Sequence, residues 1–179
     1  MSVAAKICGL STGDAVQQAT VGRAPGGHGL RVDPSVITER SPDWPLFPSA
    51  RLEGLRRTTT GLDILQAFTE AVAFGLADAV DALEAWAGPQ ALVLGGGASA
   101  SVGWQHLLAD VMGRPVACSP VTDESARGAA LAAFARMGEA APRAPAGEPV
   151  VEPDPGRAAA FAEARAARAT PSFGASLEP

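Results

Sequence analysis

The sequence predicts an α/β protein in which short parallel strands are packed by helices. Two short runs, residues 91–94 and 114–119, read as strands, and each is followed by a stretch with helical periodicity. A continuous apolar run such as residues 91–94 is typical of a parallel strand that is covered on both faces. Strands that alternate with helical stretches in this way favour a parallel sheet.

Composition limits the classes of protein and of partner. The 179 residues suffice for one ordinary domain, and the formal net charge of −5 argues against a nucleic-acid partner. No apolar run approaches membrane-spanning length, and the N-terminus does not read as a signal peptide. Cys8 and Cys118 belong to no CxxC or Cys/His grouping, so reduced thiols in a cytoplasmic protein are expected rather than a disulfide or a zinc site.

The first 57 residues are predicted to carry only short or irregular elements. In the loop expected at 37–45, Glu39 and Arg40 could form an ion pair that holds the loop. The segment A-P-G-G-H-G at 24–29 predicts a turn. The remaining expectations are an unassigned N-terminus at 1–10, a polar helix at 11–20, a strand at 30–32 and a loop at 46–57.

Residues 60–86 form the most strongly predicted helix. Thr60 and Asp63 lie three residues apart, which approximates a capping box with Asp in place of Glu. Gly75 costs about 1 kcal/mol relative to alanine inside a helix, so close packing against a neighbour is expected there. The stripe expected to be buried consists of Leu65, Phe68, Val72, Leu76, Ala79 or Val80, and Leu83.

Residues 91–115 predict a strand, a glycine turn and a helix. Glycines at 95–97 let the backbone adopt positive φ and approach a ligand with no Cβ in the way. Ser99 or Ser101 can cap the helix, and Gly113 can end it. A ligand here would meet bare backbone and a helix N-terminus. Since the pattern is neither G-x-G-x-x-G nor a P-loop, spacing alone fits a phosphate, an adenosine or no ligand.

A second strand and helix are predicted after the glycine turn. Thr122 or Asp123 is expected to cap this helix, and Gly128 to permit tight packing against a neighbour. Its inward side is expected to consist of Ala126, Ala130, Phe134 and Met137.

The composition changes after residue 138. Residues 139–155 are rich in Pro, Ala, Gly and Glu, which predicts an extended and largely disordered linker. Residues 156–169 contain a single large apolar residue, Phe161, so a weakly docked helix is expected. The last ten residues are expected to fray.

Several short motifs occur in a definite order in the second half of the chain. The G-G-G-A turn at 95–98 leads into a helix that bears Trp104 and L-A-D at 108–110. Gly-Ala-Ala follows at 128–130 in the next helix. This series resembles the adenosine-binding segment near the C-terminus of the FGGY family of carbohydrate kinases.

Other segments resemble the same family. I-T-E-R-S-P-D-W-P at 37–45 is similar to its G-E-R-x-P-x-W loop, a resemblance that leaves support of a sugar site open as a second role for Glu39 and Arg40. Residues 58–77 resemble its gluconokinase-like branch more than its glycerol kinases. The resemblance covers roughly residues 11–138 and represents the latter part of the C-terminal lobe. It implies a partial actin-like, ribonuclease H-like ATPase lobe that lacks its first strands, followed by a linker at 139–155 and a weak helix and tail at 156–179.

The resemblance implies ATP as the cofactor, with Mg expected alongside ATP but no ligand for Mg in this chain. The backbone of Gly96, Gly97 and Ala98 would lie along the adenine, after the turn begins at Gly95. Ser101 would stand where the family often has a polar contact to the base.

No residue of this chain is expected to be catalytic or to bind a metal. Asp110, Asp123 and Glu124 are not credible substitutes for the family's aspartate base, since Asp110 falls on a late helical turn away from the glycines. Trp104 is more typical of a core residue than of a stacking platform, and His106 of a solvent-facing structural residue.

The family's first phosphate loop and its base belong to an N-terminal lobe that has no counterpart in this sequence. We therefore expect negligible kinase activity from the chain alone and an exposed sheet edge. The expected partner is a separately encoded N-terminal kinase lobe or a second copy. The functions left open are the ATP-binding portion of a sugar kinase such as a gluconokinase, a xylulokinase-like fragment, a non-catalytic nucleotide-binding or regulatory module, and a product with no stable fold.

Overall fold

The computed structural model describes residues 15–34, 50–121, 123–140 and 149–169. The predicted α/β architecture is confirmed. The predicted loop at 37–45, with Glu39 and Arg40, lies outside the described residues. The helices are α1 Ala15–Thr20, α2 Gly61–Ala87, α3 Val102–Met112, α4 Glu124–Met137 and α5 Pro155–Ala169; the strands are β1 Arg31–Asp33, β2 Arg51–Glu53, β3 Leu92–Leu94, β4 Val116–Cys118 and β5 Val150–Val151.

Two small sheets are present in the described part. β3 and β4 run parallel, with Leu92 opposite Val116, and α3 provides the crossover that a parallel pair requires. β5 adds to β4 in the antiparallel direction, so the strand order is β3-β4-β5. β1 and β2 form a separate antiparallel pair. The prediction of a loop at 46–57 is therefore wrong for Arg51–Glu53, because these residues form β2 and pair with β1.

The main core lies between α2, α3 and α5. Phe74 of α2 and Phe161 of α5 meet edge to face, with ring centroids 6.2 Å apart. α1 approaches α3 closely at Gly103, where a Cβ would lie 2.8 Å from the backbone of Gln17. The buried cluster consists of Ala73, Phe74, Ala77, Leu107, Leu108, Val111 and Phe161.

The start of α2 has the predicted capping box. The Thr60 amide donates to Asp63 Oδ2 at 2.8 Å, and the Asp63 amide donates to Thr60 Oγ1 at 3.2 Å. Hydrogen bonds from the Thr60 side chain and backbone, and then the Arg23 guanidinium, lower the pKa of Asp63. The Arg23–Asp63 ion pair also joins this helix start to the segment after α1.

The stripe predicted to be the buried side of α2 is wrong for its C-terminal part. Of that stripe only Leu65 is buried, whereas Leu76 is 46% exposed and Leu83 64% exposed. α1, β1 and α3 contact a different side of the helix, where Gln66, Glu70 and Phe74 are buried. Phe68 packs against Leu30 and Val32 of the β1 segment, but Leu76 and Leu83 have no covering neighbour in the described part. Gly75 is likewise exposed, with nothing within 4 Å of a Cβ placed on it, so the close packing expected there is absent from the described structure.

β3 and α4 are also less buried than predicted. Val93, at the centre of β3, is 55% exposed, so the expected burial of both strand faces is wrong. No side chain of α4 is buried, and Met137 is 71% exposed, so the inward side predicted for this helix is wrong as well. A Cβ on Gly128 would meet nothing within 4 Å. Elements that would cover these surfaces are missing from the part of the chain that the structure describes.

The C-terminal helix docks more firmly than predicted. Phe161 is 1% exposed, and Arg157 Nε donates to the buried carboxylate of Asp110 at 2.8 Å. β5 lies inside the predicted linker and pairs with β4, so an extended and disordered connector is wrong for Val150–Val151. The partly buried Arg157–Asp110 ion pair thus joins α5 to α3 beside this single aromatic residue. No helix in the described residues is long and apolar enough to cross a membrane.

Candidate nucleotide-binding site

The predicted glycine turn forms an open corner at the carboxyl end of β3. After Leu94 the backbone makes a single 3₁₀ turn, Gly96–Ala98, and Gly96 adopts a left-handed φ of +67° that favours glycine. Ser99 Oγ donates to the Gly96 carbonyl at 2.8 Å, and Gln105 Nε2 donates to the Ser99 carbonyl at 2.6 Å. These bonds tie the turn to α3 and hold its shape. We call Gly95–Gly96–Gly97–Ala98 with Ser101 the glycine corner.

The glycine corner is not filled by side chains from the described part. A Cβ on Gly96 or Gly97 would meet nothing within 4 Å, and both residues are exposed. Gly95 differs, because a Cβ there would lie 3.3 Å from Cγ of Glu124. A ligand can therefore reach the backbone of Gly96 and Gly97, while Glu124 borders the corner next to Gly95.

Ser101 is the N-cap of α3. Its Oγ accepts from the Trp104 amide at 3.4 Å, so of the two predicted caps the structure selects Ser101 rather than Ser99. Trp104 packs against the main core, as the sequence indicated, and His106 is exposed. Ser101 can still donate its hydroxyl proton to a ligand, since capping uses the oxygen only as an acceptor.

Residues after β4 form the other side of the corner. The Ser119 amide donates to the Leu94 carbonyl at 2.9 Å, which places Ser119 level with the end of β3. Its hydroxyl donates to Glu124, whose second oxygen accepts from Arg127 Nη1 at 3.4 Å. Asp123 caps α4 by accepting from Ala126 at 3.0 Å, while Thr122 lies outside the described residues.

Sequence reasoning did not identify Ser119 as part of this site. The only available signal was a serine at a strand end with a glutamate five residues later, and many strand ends that bind nothing share this spacing.

Asp110 lies away from the corner and is fully engaged elsewhere. It is 3% exposed and accepts from the Asp154 amide and from Arg157 Nε, each at 2.8 Å. Arg157 also donates to the carbonyl oxygens of Thr20 and Arg23, so this pair joins α3, α5 and the segment after α1. The expectation that Asp110 points away from the glycine end is confirmed.

The geometry fits one wall of a nucleotide site. The open backbone of Gly96 and Gly97 offers a surface on which a flat base can lie. Two cavities of about 460 and 690 Å³ occur elsewhere, between α2, α5 and the β1 segment, and no residue of the corner lines either of them. Among the described residues, no group of three His, Cys, Asp or Glu side chains is placed to hold a metal ion.

Comparison with known proteins places the chain in a family. Residues 8–137 match the C-terminal domain of the FGGY family of carbohydrate kinases. The chain is 33% identical to a glycerol kinase of Koribacter versatilis over 113 residues, which cover 62% of this chain and 22% of that protein. It is 37% identical to a xylulose kinase of Streptomyces rubiginosus over 110 residues, which cover 60% of this chain and 22% of that protein. The matched part thus spans about a fifth of these curated relatives.

Solved structures agree with this assignment. A xylulose kinase from Rhodospirillum rubrum matches with a TM-score of 0.69 and 25% identity, over 93% of this chain and 36% of that one. A ligand-bound xylulose kinase from Lactobacillus acidophilus matches with a TM-score of 0.76 and 22% identity, over 93% of this chain and 36% of that one. A gluconate kinase from the same organism matches with a TM-score of 0.67 and 22% identity, over 87% of this chain and 32% of that one. At this identity the two structures support the fold alone.

Glycerol, xylulose and gluconate kinases all appear among the matches, so the gluconokinase-like branch is not singled out. The partial actin-like lobe implied by the resemblance is confirmed by these folds. The chain belongs to the FGGY family of carbohydrate kinases and carries its C-terminal domain.

Proposed function

We propose that this chain is the ATP-binding part of a carbohydrate kinase, in which the glycine corner forms the wall of the adenine site. The observation that carries the proposal is the open backbone of Gly96 and Gly97 at the end of β3. The base lies along Gly96, Gly97 and Ala98, and the Ser101 hydroxyl donates to it. When bound with Mg, ATP supplies the phosphoryl group that a kinase transfers.

Charge decides which end of the nucleotide lies near Gly95. Glu124 is held beside Gly95 by Ser119 and Arg127, and its carboxylate would repel the triphosphate. We therefore place the base, and not the phosphates, on the side of the corner that Glu124 borders. The phosphates extend away from Glu124, toward groups that other parts of the kinase supply.

The chemical step needs groups from outside the described residues. Asp110 is buried in an ion pair, Asp123 caps α4, and Glu124 is bound by Ser119 and Arg127, so each of these carboxylates already has a structural role. Phosphoryl transfer depends on positioning and charge stabilisation, and the described residues assemble neither. We expect no measurable ATP-dependent phosphorylation of glycerol, xylulose or gluconate by the purified chain.

The remaining groups would come from the rest of the kinase, either on a longer polypeptide or on a separate N-terminal lobe; self-association is the competing possibility. The exposed apolar surfaces support this proposal. Val93 faces outward on β3, and Leu76, Leu83 and Trp86 lie exposed on α2. Gluconate is one candidate substrate, and the sugar would be identified by testing glycerol, xylulose and gluconate after the N-terminal lobe is added.

ATP titration by calorimetry tests the proposal, with a variant that fills the corner. Gly97→Val adds a side chain where the backbone φ is not left-handed and nothing lies within 4 Å, so folding is expected to be unchanged. We expect ATP affinity to fall about tenfold or more because the side chain occupies the space of the base. Gly128→Ala on exposed α4 is the matched control and is expected to bind ATP as the unaltered chain does. Equal ATP affinity in all three proteins would contradict the proposed site.

A second candidate is a non-catalytic nucleotide-binding or regulatory module. It is favoured by the structural roles of the described acidic side chains beside the corner, Asp123 and Glu124. ATP binding that persists while an added N-terminal lobe produces no sugar phosphorylation would support this candidate over the kinase.

A further inference from the structure

A cavity of about 460 Å³ lies against α2 and shares no lining residue with the glycine corner. One wall is the segment from Pro25 to β1, the second is α2 and the third is α5. We propose that this cavity binds a small organic amine, with the ammonium group held by Glu70 and Glu163 and the apolar body lying among alanines. The site is independent of the proposed ATP site, since the two share no residue.

The cavity exists because facing positions carry small side chains. Alanines on α2 and α5 leave space that larger residues would fill, and the gap has the volume of a typical small-molecule pocket. The cavity closes at one end, where a Cβ on Gly26 would contact the Ala164 methyl at 3.4 Å. The alanines of the lining are Ala67, Ala71, Ala160, Ala164 and Ala167.

The polar wall of the cavity is a buried pair, His28 and Glu70, whose side chains are 7% and 3% exposed. The Leu30 amide donates to His28 Nδ1 at 2.9 Å, so Nδ1 is the unprotonated nitrogen and Nε2 carries the proton. Nε2 then donates to Glu70 Oε2 at 3.2 Å. His28 is neutral in this arrangement, so it offers Glu70 a hydrogen bond but no positive charge.

Glu70 is a buried carboxylate bound only by neutral donors. Its Oε2 accepts from His28 and from the Gly26 amide at 3.0 Å, and its Oε1 accepts from Gln66 Nε2 at 2.7 Å. A carboxylate has about four lone-pair positions, so one remains on Oε1. No guanidinium or ammonium of the described residues contacts Glu70. Since a buried charge is costly without a counter-ion, a cationic ligand would complete the site.

The other charged groups of the lining fit this assignment. Glu163, on α5, has no hydrogen-bond or ion-pair partner among the described residues and adds a second negative charge. Arg168 pairs with Asp78 and stands 5.6 Å from the Phe74 ring, while Arg31 donates to the Arg168 carbonyl at 3.1 Å. Because Arg168 already covers the Phe74 ring face, the ligand cation is held by carboxylates rather than by an aromatic ring.

Three probes that share a phenyl group test the assignment on the full chain by protein-observed NMR. The proposal expects 2-phenylethylamine to bind about tenfold more tightly than the neutral 2-phenylethanol, and 3-phenylpropionate not to bind. Shifts are expected at the Gly26, Leu30 and Ala164 amides. Equal binding of amine and alcohol, binding of the carboxylate, or no binding of any probe would each overturn the proposal.

Substitutions separate the contribution of carboxylate charge to binding from the contribution of cavity volume. Glu163→Gln removes an exposed charge and is expected to weaken amine binding about threefold while leaving alcohol binding unchanged. Ala164→Leu fills the cavity and is expected to abolish binding of both. Glu139→Gln, on an exposed residue outside the lining, is the matched control. Glu70→Gln is expected to weaken amine binding more than any other single loss of charge. If this variant fails to fold, the comparison of the three probes and the Glu163→Gln variant still test whether the cavity prefers a cation. An unchanged amine affinity in Glu163→Gln would contradict the role of that carboxylate.

Discussion

The two sides of α2 differ in how far neighbouring elements bury their side chains. One side contacts α1, β1 and α3, and it buries Gln66, Glu70 and Phe74 in specific hydrogen bonds and aromatic contacts. The other side carries Leu76, Leu83 and Trp86, which are 46%, 64% and 88% exposed. Leu76 and Leu83 of the apolar stripe that periodicity predicted to be the core lie on this second side. The described part therefore supplies neighbours that bury the first side, and it leaves these three residues uncovered.

The same contrast separates α5 from α4. α5 contributes one large apolar side chain but is anchored by Phe161 and by the Arg157–Asp110 ion pair. α4 carries a clean N-cap and a glycine C-cap, yet buries no side chain. Local sequence signals are therefore enough to form both helices. Burial of a helix needs a neighbouring element as well, and α5 has such a neighbour whereas α4 buries no side chain. Substitutions of packed side chains are therefore expected to lower the free energy of unfolding, and substitutions of exposed ones to leave it nearly unchanged.

The largest expected effect is from Phe161→Ala. Removing a fully buried ring from the cluster between α2, α3 and α5 is expected to lower the free energy of unfolding by about 4 kcal/mol. Urea denaturation measures the loss. Met137→Ala on exposed α4 is the control and is expected to change stability by less than about 0.5 kcal/mol. Similar losses in both variants would contradict the contrast between the two helices.

Asp110→Ala is expected to cost about 3 kcal/mol, because it leaves the Arg157 guanidinium without its buried counter-ion. Amide hydrogen exchange should show that α5 and β5 lose protection before α2 does. Asp123→Ala, which removes only an exposed cap, is expected to cost about 1 kcal/mol and to leave α5 protected. Uniform loss of protection across the chain in Asp110→Ala would argue against a specific anchor.

A pH titration examines the packed side of α2 at its first turn. Hydrogen bonds from Thr60 and the Arg23 charge lower the pKa of Asp63 in the folded state. A lowered folded pKa contributes stability above the unfolded pKa, about 4, and this stability is lost as the pH falls through the folded value. Asp63→Asn is expected to cost about 1 kcal/mol at neutral pH and to reduce the loss of stability under acid. An unchanged acid profile would show that Asp63 does not contribute.

The smallest effect on stability is expected on the exposed side of α2. Leu83→Ser is expected to change the free energy of unfolding of the chain alone by less than about 0.5 kcal/mol. If this side docks the rest of the kinase, the same change should weaken association with an added N-terminal lobe about tenfold, measured by calorimetry. A stability loss of several kcal/mol in the isolated chain would show that the described part already covers Leu83.

Local features were predictable from the sequence and long-range ones were not. The capping box at Thr60 and Asp63, the helix stop at Gly113 and the glycine turn at 95–97 each depend on a few neighbouring residues, and all appear as expected. The ion pair of Asp110 with Arg157 joins residues 47 positions apart, and nothing in the local pattern of either residue indicates its partner.

The same reasoning explains the errors in burial. Steps of three and four residues show that Leu76 and Leu83 lie on one side of α2, but they do not show which element covers that side. The neutral tautomer of His28 and the single remaining position on Glu70 likewise depend on backbone groups that only the folded chain brings together.

The most direct test of the central claim is an amide NMR titration of the full chain with ATP. The account predicts that Gly95, Gly96, Gly97, Ala98 and Ser101 shift together on addition of ATP, while amides around His28 and Glu70 stay unchanged. If these five amides remain unmoved at saturating ATP, or the shifts lie in another region of the chain, the glycine corner is not the adenine site.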